Sequence, residues 1–74
     1  METRFREEVV DINSIQDLED GWEITVLQSP EYLKIPVDSS DLLRRVKRAW
    51  RESKSVSMIW DLDTLVIKNV SEVI

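Results

Sequence analysis

The sequence has no cysteine, no histidine, a single glycine and two prolines. Each absence removes a class of chemistry. Without cysteine there is no disulfide and no thiol nucleophile. Without either of the first two there is no thiolate or imidazole zinc site, and no side chain that serves unperturbed as a general base near neutrality. One glycine, Gly21, cannot build a glycine-rich phosphate loop. Long apolar runs are missing as well: a membrane helix needs about 20 mostly apolar residues, and no stretch comes near that. Met1 to Val10 is charged where a signal peptide is apolar. These features fit a reducing compartment, so a cytoplasmic location and no membrane association are expected. No catalytic, metal or cofactor site is expected either.

What is present fits one small domain spanning residues 1–74. Chains this short bury a smaller share of their surface than larger ones. Three tryptophans, Trp22, Trp50 and Trp60, are the main apolar resource. A buried aromatic removes about 150–250 Å² from water, so the three are read first as core anchors, the alternative being that one is exposed and used for binding. The net charge of −5 is unevenly spread: residues 1–43 carry −8, residues 44–54 carry +5, and residues 55–74 carry −2. The molecule should be electrostatically two-sided.

The most regular segment is Trp22 to Val37. Gly21 supplies a turn residue free to take positive φ, and Ser29-Pro30 places proline where a turn wants φ near −65°. With Gln28 to Glu31 as the loop, Val26 pairs with Leu33, Ile24 with Ile35 and Trp22 with Val37. Trp22, Ile24, Val26, Leu33, Ile35 and Val37 then share one face. Asp38-Ser39-Ser40-Asp41 offers helix N-caps. Leu42, Leu43, Val46, Ala49 and Trp50 follow as one stripe of a 3.6-residue period, predicting a helix that ends near Ser53. Its charged face offers the pairs Asp41 with Arg45 and Arg48 with Glu52.

Ser55 to Val70 reads as a second hairpin around Asp61-Leu62-Asp63-Thr64. Trp60 would pair with Leu65, Met58 with Ile67, and Ile59 with Val66 as a tip pair on the outer face. Residues 7–17 are expected as a strand bent near Asn13-Ser14, because two hairpins alone leave sheet edges open. A short N-terminal helix is the alternative.

The fold class is therefore mainly β with one helix (α+β), in the order strand-strand-strand-helix-strand-strand. That order resembles the OB-fold, a five-stranded partly open barrel. The resemblance implies an OB-like small barrel; an open antiparallel sheet with the helix packed on one face is the alternative.

Among chemical constellations, Asp61 and Asp63 lack the glycine and distal glutamate of a calcium loop and read as a solvated turn. Glu7-Glu8-Asp11 and Asp17-Glu19-Asp20 read as surface charge, and no serine has a histidine to activate it. The sharpest constellation is the basic helix face, Arg44, Arg45, Lys47, Arg48 and Arg51. With the exposed apolar candidates Leu27, Tyr32, Ile59 and Val66, it points to a small non-enzymatic interaction module that binds a protein partner or forms a homo-oligomer. The alternative is a nucleic-acid-binding module using residues 44–54.

Overall fold

In the computed structural model, which describes residues 4–73, the alternating segments form strands and the Leu42 stripe forms a helix. The elements are β1 (Phe5–Val10), β2 (Ile12–Leu18), β3 (Gly21–Val26), β4 (Ser29–Pro36), α1 (Ser40–Arg51), β5 (Val56–Asp61) and β6 (Ile67–Glu72). They make two three-stranded antiparallel sheets, in the orders β1-β5-β6 and β2-β3-β4. The fold is thus mainly β with one helix. Among the described residues the sheets do not close into a barrel. At one border they meet through a parallel bridge between Lys34 and Val66, where the Lys34 amide donates to the Leu65 carbonyl at 2.8 Å.

The N-terminal strand breaks at Asp11, so β1 joins one sheet and β2 the other, and a register irregularity between Ile12 and Ser14 falls beside the expected bend at Asn13-Ser14. Side-chain chemistry holds the break at Asp11. The Asp11 amide donates to Gln28 Oε1 at 2.7 Å, and its carboxylate accepts from Gln28 Nε2 at 2.8 Å and from the Ser55 hydroxyl. The Ser55 bond, then the Gln28 bond, holds the carboxyl below its ordinary value, since both stabilise the ionised form. One residue thereby ties the β3–β4 turn to the start of β5.

Both hairpins change register; β3–β4 keeps its expected inner face, whereas in β6 an irregularity opposite Ile59 and Trp60 turns Val70 inward and Asn69 outward. In β3–β4, Ile24 faces Leu33 and Trp22 faces Ile35, two residues from the expected pairing. The turn is Leu27-Gln28, and Pro30 enters β4, an edge strand where its missing N–H costs no ladder bond. A two-residue slip leaves side chains on the same face. Ile24, Val26, Leu33 and Ile35 are accordingly buried, while Val37, past the strand end, is exposed. In β5–β6, Trp60 faces Ile67, Met58 faces Val70 and Ile59 faces Asn69, so the Ile59–Val66 tip pair does not form. The connection is longer than expected because Asp61 Oδ1 accepts from the amides of Asp63 (2.7 Å) and Thr64 (3.1 Å). Leu65, at φ 63°, returns its amide to the Asp61 carbonyl.

Helix α1 packs Leu43, Val46 and Ala49 onto a core that includes Val10, Ile24, Leu33, Met58, Trp60 and Val70. Asp41 in its first turn pairs with Arg44 at 3.2 Å, not with Arg45, because the Arg45 guanidinium donates to the Val70 carbonyl at 3.0 Å. Arg48 pairs with Glu52 at 3.1 Å as expected. The helix stops before Ser53 because Ser53 takes a left-handed φ of 54°. The Lys54 amide then reaches the Ala49 carbonyl at 2.9 Å and the Ser53 amide the Trp50 carbonyl at 3.2 Å, a Schellman cap. A serine pays a conformational cost at that φ that glycine avoids. Ser53→Gly is therefore expected to stabilise the chain by about 0.5–1 kcal/mol, read as a rise in the thermal unfolding midpoint.

The three tryptophans fill the expected core role unequally. Trp60 is 0% exposed, Trp22 is partly buried against the core, and Trp50 is 47% exposed.

Candidate interaction surface

The helix period turns Arg44, Arg45, Lys47, Arg48 and Arg51 away from the core, and all five are exposed. Their surroundings differ. Arg44 and Arg48 are held by Asp41 and Glu52, and Arg45 by the Val70 carbonyl. Glu52 also receives Lys54 at 3.5 Å; the Arg48 hydrogen bond first, and the Lys54 charge second, draw its carboxyl below the ordinary value. Lys47 and Arg51 have no carboxylate within ion-pair distance among the described residues.

Trp50 stands between those two cations, three residues after Lys47 and one before Arg51. The three side chains line one shallow surface hollow. Trp50 also borders a second hollow with Asp11, Ile12 and Lys54, where α1 ends over the bend between β1 and β2. An indole flanked by free cations presents a flat apolar face and two positive charges at one place. Trp50, expected first in the core, is the tryptophan that takes the exposed alternative. The signal that could have found it is its place as the last member of the apolar seam, beyond Ala49, with cations on both sides.

The other expected residues do not join this patch. Leu27 lies exposed in the β3–β4 turn, and Tyr32 points outward from β4. Ile59 is half-buried on β5 of the other sheet, between Glu7 and Asn69. Val66 is half-buried beside Lys34 and lines a hollow of about 120 Å³ together with Leu18, Trp22 and Pro36; Asp20 and Lys34 stand at the same hollow. Asp17, Glu19 and Asp20, around the β2–β3 turn, are exposed and have no cation partner among the described residues.

Among the described residues no three carboxylates cluster closely enough to hold a metal ion, and Asp61 Oδ1 is committed to its turn. No helix among them is long and apolar enough to cross a membrane.

No protein-family model, curated protein or solved structure matches this chain. The surface has to be read from its own chemistry.

Proposed function

We propose that this chain is a non-enzymatic interaction module that docks an acidic protein surface on the outer face of α1, with Trp50 as the anchor and Lys47 and Arg51 as its charge partners. One observation carries the reading: the half-exposed indole sits between Lys47 and Arg51, the two helix cations with neither a carboxylate nor a carbonyl partner among the described residues, while Arg44, Arg45 and Arg48 are occupied within the fold. Interface energy concentrates in tryptophan and arginine anchors, and flanking charge adds partner choice and association rate.

Nucleic acid fits less well. Two unengaged cations release few counterions from a phosphate backbone. Single-strand binders pair a positive groove with several stacking aromatics, whereas the outward face of β2-β3-β4 offers Glu23, Tyr32 and Lys34. We further read the two sheets as halves of an OB-like, partly open barrel. The support is the bent β1–β2 run shared between sheets, the parallel Lys34–Val66 bridge, and α1 inserted between β4 and β5. Such a fold hosts many functions and selects none. A cytoplasmic location belongs to the same reading and rests on the cysteine-free sequence.

The test is an NMR titration at low salt with a glutamate-rich peptide containing leucine, and in parallel with a single-stranded oligonucleotide. The peptide should shift the amides of residues 44–54 and the Trp50 indole, and Trp50→Ala should weaken it about tenfold. Shifts with the oligonucleotide alone would replace this reading by nucleic-acid binding. Silence with both at millimolar concentration would remove α1 as a docking face.

A further inference from the structure

The cations beside Trp50 and the carboxylates of the β2–β3 turn, unpaired among the described residues, lie at opposite ends of β2. Strand β2 begins at Ile12, which borders the Trp50 hollow, and ends at Leu18, which lines the hollow shared with Trp22, Pro36 and Val66. Its seven residues span about 20 Å. The start of α1 belongs to the Leu18 end, because the Val37 amide donates to the Asp20 carbonyl at 3.2 Å and the Ser39 amide to the Pro36 carbonyl at 2.9 Å. One end therefore presents an apolar ring with cations, and the other a mainly apolar hollow, lined by Asp20 and Lys34, beside the acidic β2–β3 turn. They are too far apart to meet within one chain.

We propose that the partner docked on α1 is a second copy of this chain, bound head to tail. Trp50 of one copy enters the Leu18–Trp22–Pro36 hollow of the next, and Lys47 and Arg51 face Asp20 and Glu19. The assignment rests on the reading of α1 as a docking face, and it names the occupant.

Complementarity of both kinds supports it. The hollow is lined mostly by apolar groups, and an entering indole displaces the water that wets it. Trp22 is partly buried in its wall, so the entering ring meets another aromatic. Asp20 and Lys34 both line the hollow, and the adjoining β2–β3 turn adds the exposed carboxylates of Asp17 and Glu19 around it. Ring and hollow are different surfaces, so the contact is heterologous. It propagates as an open chain of copies unless the rotation between neighbours closes a ring.

Sedimentation velocity from micromolar to millimolar concentration should show an average mass that rises with concentration and falls as salt is added. Trp50→Ala should weaken assembly about tenfold. A charge swap gives the decisive comparison. Lys47→Glu with Arg51→Glu should be monomeric alone, as should Glu19→Lys with Asp20→Lys, and mixing the two should restore association. All four positions are exposed, and circular dichroism checks that each variant folds. A mixture that stays monomeric overturns the proposal. A wild-type chain that stays monomeric to millimolar, yet binds the glutamate-rich peptide through residues 44–54, overturns the second-copy assignment and leaves the docking face standing. Failure of both removes both.

Discussion

Trp60→Ala is expected to leave the chain largely unfolded at room temperature. Trp60 is 0% exposed on β5, the central strand of its sheet, with Arg6 opposite on β1 and Ile67 opposite on β6. Truncating a buried aromatic to alanine removes the largest side chain in the core and leaves a cavity, at a cost of about 3–5 kcal/mol. A domain of 74 residues has about 4–11 kcal/mol of total stability at the usual value per residue. The loss is therefore between about a third and the whole of what holds the fold together. Trp60→Phe separates ring packing from the rest of the residue. The Trp60 Nε1 is buried with no hydrogen-bond partner among the described residues, a burden of about 1–3 kcal/mol that phenylalanine removes while opening a smaller gap. The phenylalanine variant should stay folded, with a urea midpoint near that of the parent chain. An alanine variant that unfolds cooperatively near the same midpoint would show that the core does not depend on this ring.

The difference between what could and could not be read from the residues has a physical pattern. Side-chain phase was legible in β3–β4, where alternation has a period of two and survives a two-residue slip: Ile24, Val26, Leu33 and Ile35 face inward in the expected and the observed pairing alike. The irregularity in β5–β6, by contrast, turns Val70 inward against the expected phase. Register was not legible, because it depends on turn length. The β5–β6 turn is set by two bonds to Asp61 Oδ1, and the β1–β2 bend by Asp11 reaching Gln28 and Ser55, 17 and 44 residues away. The charged face of α1 was legible from its period. Which of its cations stay free was not, since Arg45 is claimed by a carbonyl 25 residues distant. Trp50 was misplaced for a related reason. Helical spacing gives the direction of a side chain and not how far the sheet beneath extends, and Ala49 is the last buried residue of α1.

Gly21→Ala is expected to destabilise the chain by about 2–4 kcal/mol through the backbone alone. Gly21 has φ of 149°, a conformation that side chains of L-residues rarely adopt. A Cβ built there would lie 2.1 Å from the Ile35 carbonyl oxygen. That oxygen belongs to β4, where Gly21 pairs with Pro36 and Trp22 with Ile35. Relieving the clash means moving a strand rather than rotating a side chain. For a domain of this size the loss corresponds to a fall of about 10–25 °C in the unfolding midpoint, which circular dichroism melting measures directly. An unchanged midpoint would show that the β3–β4 pairing yields at this point without cost. Gly21 also lies between Leu18 and Trp22 at the carboxylate-bearing hollow, whereas α1 presents Trp50 at the opposite end of β2. The same variant should therefore weaken head-to-tail association through the hollow while the Lys47–Trp50–Arg51 face still takes the glutamate-rich peptide, a separation that a substitution acting on stability alone would not produce.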